Sequence, residues 1–319
     1  MTAAAGRGWT ELDPATHRPH ALHAPERNWA ETNCYVDLWI EAVHALGLEP
    51  LAMLPFTVAQ DFEGDQFTFF KVPLEDLEAL YGFAVQELAI YDTVEAHVVE
   101  QLSRGRLVLV EVDGFHLPDT RGTSYGTTHV KTTVGITRLD PAARRMDYFH
   151  NAGFYRLEGE DYEGLFAKAA GPLFPYVEFV KRLSPPLEGA ALRDRSLALL
   201  RHHLVRRPQR NPIGAFREDL PRHLDALASR PMEYFHLHAF NVLRQLGANF
   251  DLLGSYAAWI DGPAEVVEAC GTIGSTAKVL QFQFARAVAK RRFADYGELL
   301  GRMEAAYDTA VGGLARCYG

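Results

Sequence analysis

The feature that most constrains this 319-residue chain is the point where its strand signals stop. Pro172, Pro175, Pro185 and Pro186 punctuate a connector beyond Gly171. After it, stretches 187–205, 213–228, 232–247, 249–260, 263–292 and 293–317 carry helical periodicity. Breaks are expected at Pro212, Pro231, Gly247 and Gly262, and Pro221 is expected to divide or kink the second stretch. Before the connector, 51–55, 67–72, 107–112, 129–136 and 145–150 read as strands, and 74–81 and 93–102 as helices. The expected architecture is α+β followed by an all-helical bundle. Its parts are an N-terminal arm over 1–30, an α+β domain over 31–183 and a helical domain over 184–319.

Apolar residues at 48% and charged residues at 23% describe a soluble globular chain. A net charge of −9 argues against a nucleic-acid partner, because a phosphate backbone demands a broad basic surface. No apolar run is long enough to span a bilayer and no signal-peptide pattern opens the chain, so the expectation is a cytoplasmic protein without a membrane partner. The three cysteines, Cys34, Cys270 and Cys317, lack metal-ligand pairing, and Cys270 and Cys317 are expected to be inert. His17, His20 and His23 are interrupted by Pro19 and bounded by Pro25, which points to a surface arm rather than a metal site. No metal is expected, and a homodimer is left open.

Cys34 stands at an apparent helix start. Val36, Trp39, Ile40, Val43 and Leu46 recur at three-and-four spacing, and Gly47 follows where a cap belongs. Thr32 or Asn33 is the expected N-cap. A helix start favours thiolate over thiol, and the thiolate is the nucleophile.

Over 129–136, Val130, Thr132, Val134 and Ile136 alternate with His129, Lys131, Thr133 and Gly135, which makes a two-faced strand. His129 lies on the polar face, at the mouth of the Gly-rich loop 113–128. If Leu139 pairs with Arg145 on the return strand, Asn151 and Asp147 share the face of His129 and His150 points away. Asp37, Asp61, Asp65, Asp113 and Asp119 are candidates to line the site, with exposed turn carboxylates the favoured reading. Cysteine, histidine and a carboxamide or carboxylate in this order form a triad arrangement: nucleophile, base, and a residue that fixes the imidazole tautomer.

Asn33-Cys34, His129-Val130 with Val134-Gly135-Ile136, and Tyr148-Phe149-His150-Asn151 before Gly153-Phe154-Tyr155-Arg156-Leu157 resemble the papain-like fold. The likeness is closest to the N-terminal domain of the butirosin-biosynthesis acyltransferase family. The whole chain also resembles an uncharacterised bacterial domain-of-unknown-function family associated with amino acid:carrier-protein ligases. The resemblance implies a papain-like domain with Cys34, His129 and Asn151 as triad and Asp147 and His150 as alternatives for the third place. Where relatives carry Asp-Pro at the end of the return strand, this chain has His150-Asn151. Thr32, Asn33, Asp61 or Gln66 would complete the oxyanion hole.

The implied activity is cysteine-dependent acyl or aminoacyl transfer from a carrier-protein thioester to a small acceptor. The donor is the carrier's phosphopantetheine arm, and no cofactor of the chain's own is expected. Arg201, Arg206, Arg207 and Arg210, in the densest basic segment, are candidates for docking an acidic carrier, and Lys290-Arg291-Arg292 forms a second patch. A cysteine amidase or peptidase would use the same triad with water as acceptor. A non-catalytic scaffold predicts His129 beyond hydrogen-bond reach of Cys34.

Overall fold

Residues 8–169 and 174–319 are described by a computed structural model of the chain. Met1 to Arg7 of the expected arm, and Gly171 and Pro172 of the expected connector, lie outside the described residues. Two compact units emerge. The first comprises residues 1–21, 33–50 and 73–188, and the second 22–32, 51–72 and 189–319.

The first unit is α+β. Its elements run α1 (Cys34–Ala45), α2 (Leu74–Tyr81), β1 (Phe83–Glu87), α3 (Val94–Ser103), β2 (Leu107–Asp113), β3 (Lys131–Asp140), β4 (Arg145–His150), β5 (Gly153–Glu158), α4 (Glu160–Ala169) and β6 (Val177–Arg182). The six strands form one antiparallel sheet in the order β1-β6-β2-β3-β4-β5. Strand signals therefore do not stop at Gly171. The short run over 177–182 sits between prolines, yet it fills the place between β1 and β2.

One sheet face packs on α3 and α4 through Val108, Val110, Val134, Ile136, Met146 and Tyr148. Helix α1 covers the other. Gly135 makes that approach possible, because a Cβ there would lie 3.3 Å from a Leu38 methyl and 3.4 Å from one of Leu107. Trp39 of α1 stacks on Phe83 at 6.3 Å.

The β3–β4 register is one residue away from expectation near the turn, where Leu139 pairs with Met146. A bulge between Ile136 and Arg138 absorbs the extra residue, and Gly135 then pairs with Phe149, as the expected register requires.

From Gly8 onward the N-terminal segment is not a surface arm. It forms three one-turn 3₁₀ helices, at Trp9–Glu11, Pro14–Thr16 and Ala21–His23, and buries Trp9, Leu12, Leu22 and Trp29. In the first unit His17 Nε2 meets Glu41 Oε2 at 2.7 Å, while the His20 N–H donates to Glu41 Oε1 at 2.9 Å. Glu41 is fully buried on α1, so these contacts supply the partners that a buried carboxylate needs.

The second unit is mostly helical: α5 (Gly189–Val205), α6 (Pro212–Ser229), α7 (Met232–Ala239), a π-helical turn (Phe240–Arg244), α8 (Gln245–Trp259), α9 (Ala264–Lys290) and α10 (Gly297–Tyr318). The strands expected at 51–55 and 67–72 do not form. Pro50 and Pro55 instead open 3₁₀ turns at Pro50–Met53 and Pro55–Ala59, and the second stretch contributes one isolated bridge, Phe62 with Phe67. Pro221 lies inside α6 without ending it. Gly247 is not a break either. It lies within α8, where a Cβ would come 2.6 Å from the Trp29 ring, whose Nε1–H donates to the Gly274 carbonyl at 2.9 Å.

Candidate functional site

Cys34 is the first residue of α1, as its spacing predicts, and Asn33 is the N-cap. The cap's extended backbone (φ −143°, ψ 154°) lets Asn33 Oδ1 accept the Val36 N–H at 3.1 Å. The thiol is half-buried. The N–H group of Cys34 belongs to the first helical turn, whose donors have no intrahelical acceptor.

Alternation places His129 relative to α1. Gly135 faces Leu38, and Glu178, on the same sheet row through Leu109, accepts from the Tyr35 hydroxyl at 3.4 Å. Residues two, four and six positions before Gly135 share that face. The contacts agree with the count: Lys131 Nζ reaches Glu111 Oε1 at 2.6 Å, and His129 Nδ1 reaches Asp113 Oδ2 at 2.7 Å. Phe115 stacks on the His129 ring at 4.5 Å. A carboxylate only accepts, so Nδ1 carries the proton and donates to Asp113. His129 and Cys34 therefore belong to the same side of the sheet. No hydrogen bond joins them among the described residues.

The expected third members do other work. Asn151 takes φ 44° in the β4–β5 turn, a left-handed conformation that asparagine tolerates well. Asp147 is buried near the β3–β4 turn, at the far end of β3 from His129. It accepts from Arg156 Nε at 2.7 Å and Nη2 at 3.0 Å, with Arg138 Nη1 at 3.3 Å. His150 points to the opposite face, its Nδ1 at 2.5 Å from Asp119 Oδ2 and its Nε2 at 2.7 Å from Thr132 Oγ1. The carboxylate that holds His129 is Asp113, at the end of β2. Its signal was strand parity with Glu111, and the irregular loop after it hid that signal. Asp113 and Asp119 are thus histidine partners rather than exposed turn carboxylates, and Asp37 is fully buried on α1.

The other candidates belong to the second unit. The Thr32 carbonyl accepts from Arg244 Nε at 2.8 Å. Asp61 lines an open cavity of about 520 Å³ with Phe62, Arg210, Glu218 and Asp219, while Gln66 is exposed and its carbonyl closes a turn with the Glu63 N–H. Among the basic residues, Arg210 pairs with Glu218, Arg207 donates to the Leu204 carbonyl at 2.6 Å, and Arg206 meets His202 Nε2 at 3.5 Å. Arg201 is exposed on α5. Burial pushes the Cys270 thiol up to about 12, which leaves it no thiolate at neutral pH. Among the described residues no three His, Cys, Asp or Glu side chains are grouped to hold a metal ion.

Two buried histidines of the second unit form a titrating pair. His223 Nδ1 and His238 Nε2 are 2.8 Å apart, and His223 Nε2 lies 3.1 Å from Asp219 Oδ2. The carboxylate favours a proton on His223 Nε2, so the shared proton belongs to His238 Nε2. Burial, then the neighbouring His223, pushes His238 down to about 4. This folded value lies below the ordinary 6.5, so the stabilisation is complete above pH 6.5 and is lost as pH falls from 6.5 toward 4. The loss is expected to reach about 3 kcal/mol. Urea unfolding at pH 7 and pH 4.5 should show this acid limb flattened in His238→Gln. Coincident limbs for wild type and variant would assign the acid sensitivity elsewhere.

The fold is that of a two-unit α+β protein, with an antiparallel six-stranded sheet region in the first and a mostly helical second. The chain belongs to the DUF1839 family: its N-terminal domain matches residues 18–182 and its C-terminal domain residues 189–316. No curated protein matches the chain. Among the described residues no helix is long and apolar enough to cross a membrane.

Proposed function

We propose that the chain is a cysteine-dependent acyl or aminoacyl transferase with a papain-like arrangement of its first unit. The observation that carries this reading is the cysteine at a capped helix start on the sheet face that also bears the His129–Asp113 pair. The Cys34 thiolate attacks the carbonyl carbon of a carrier-protein thioester. The carbon–sulfur bond to the phosphopantetheine arm breaks, the arm leaves as a thiol, and Cys34 holds the acyl group. A small amine then attacks that carbonyl, the carbon–sulfur bond to Cys34 breaks, and the amine's proton passes through His129 Nε2 to the departing Cys34 sulfur. His129 takes the thiol proton at Nε2 and delivers it to the leaving sulfur, with Asp113 holding the imidazole in that tautomer. The Cys34 N–H, at the start of α1, serves the developing oxyanion. Arg201, Arg206 and Arg207 offer an exposed basic surface to an acidic carrier, whereas Arg210 is already engaged by Glu218.

A second reading, a non-catalytic binding protein, is favoured by one observation: Cys34 and His129 share no hydrogen bond among the described residues. Transfer requires the substrate to close that gap. Intact-mass analysis after mixing with an aminoacylated or acylated carrier protein decides between them. Transfer predicts an acyl adduct on wild type, none on Cys34→Ala and slow formation on His129→Ala. No adduct, with iodoacetamide reactivity at Cys34 no greater than that of a free thiol, supports the binding protein.

A further inference from the structure

The second basic patch of the sequence becomes a cavity in the second unit. Arg286 and Lys290, four residues apart on α9, line an open cavity of about 510 Å³ together with Arg292, Gln283, Phe293 and Tyr296. Arg291 makes this possible: it caps α9 at φ 52°, and the reversal brings Arg292 and Phe293 to the same cavity as Arg286. Tyr296 is buried and packs edge-on against Phe284 at 4.8 Å, which fixes an aromatic wall.

None of the three cations forms an ion pair among the described residues, and no carboxylate lines the cavity. Asp295, three residues beyond Arg292, accepts the Gly297 N–H instead. This is unusual company in a chain of net charge −9, where Arg193, Arg210, Arg217 and Arg222 of the same unit each hold a carboxylate. Like charges at four-residue spacing repel, and the helix dipole rewards cations only within its last turn. The third cation, beyond the helix end, adds repulsion that nothing internal offsets. A polyanion would offset it, and the cavity falls within the size range of small-molecule sites.

We propose that this cavity binds an organic diphosphate or polyphosphate, with Arg286, Lys290 and Arg292 on the phosphates, Gln283 as a neutral donor and Phe293 and Tyr296 beside the organic moiety. Guanidinium groups suit phosphate oxygens because their fork matches two of them at once. The assignment is independent of Cys34 chemistry.

The test is calorimetric titration of the full chain with pyrophosphate at low salt. Expected are a dissociation constant below about 1 mM, weakening as salt rises, and at least a tenfold loss in Arg286→Gln/Lys290→Gln. These residues are exposed, so the pair of changes leaves the fold intact. The control pair Arg201→Gln/Arg206→Gln should bind as wild type does. No heat up to about 10 mM pyrophosphate, or equal weakening by both pairs, overturns the site. Binding of an acidic carrier protein that depends on Arg286 and Lys290, without pyrophosphate binding, also overturns it and makes this face a protein dock.

Discussion

Asp113→Asn is expected to slow the proposed acylation of Cys34 by about 10²-fold to 10⁴-fold, the range spanned when a general base loses its correct protonation geometry. The carboxylate oxygen 2.7 Å from His129 Nδ1 accepts a hydrogen bond from the N–H that imidazole must keep there if Nε2 is to act as base. An asparagine can present its NH₂ group there, which favours the tautomer with the proton on Nε2 and disables the base. Stacking on Phe115 holds the ring in either tautomer, so the variant should bind substrate normally. Single-turnover mass analysis separates the rate from binding. Asn151→Gly supplies the contrast, because position 151 needs a left-handed backbone that glycine adopts freely, and the rate should stay within about twofold. If Asn151→Gly slows acylation as much as Asp113→Asn does, the third member is Asn151 after all.

Local signals decided what could be read from the chain alone. The start of α1 was legible because cap, periodicity and terminator agree between Asn33 and Gly47. The alternation around Val134 was legible because one sheet face is core and the other meets α1. The partner of His129 was not, because pairing between β2 and β3 spans an irregular loop whose length conceals register. Nor was β6, whose six residues gain strand character only from β1 and β2 on either side. The turns opened by Pro50 and Pro55 had the apolar content of strands, and the prolines outweighed it. The N-terminal segment misled for a related reason. Its prolines do break a helix, but Trp9 and Trp29 bury themselves without one, and Glu41 needed His17.

The largest stability effect is expected at Asp119, on the sheet face turned away from Cys34. Its side chain is 3% exposed and receives two buried donors, the Tyr148 hydroxyl at Oδ1 and His150 Nδ1 at Oδ2, both at 2.5 Å. His150 Nε2 in turn accepts from the Thr132 hydroxyl at 2.7 Å, so a loop residue, two residues of β4 and one of β3 share a single chain of hydrogen bonds. Burial, with Asp119 beside it, pushes the Tyr148 phenol well above its ordinary range, so it remains a donor at every accessible pH. Removing the carboxylate in Asp119→Ala strands both donors where water does not reach. Each costs about 1–3 kcal/mol, and the two together about 3–5 kcal/mol. Urea unfolding monitored by tryptophan fluorescence measures the loss directly, and a change below about 1 kcal/mol would mean that water enters the gap. Asp119→Asn should fall between, since its carbonyl still accepts from one donor while its NH₂ faces the other. The same network ties the loop after β2, where Phe115 packs on His129, to the strands beneath it. Loss of Asp119 should therefore raise amide exchange across 114–128 before it changes exchange in α1, an order that a uniformly weakened fold would not produce.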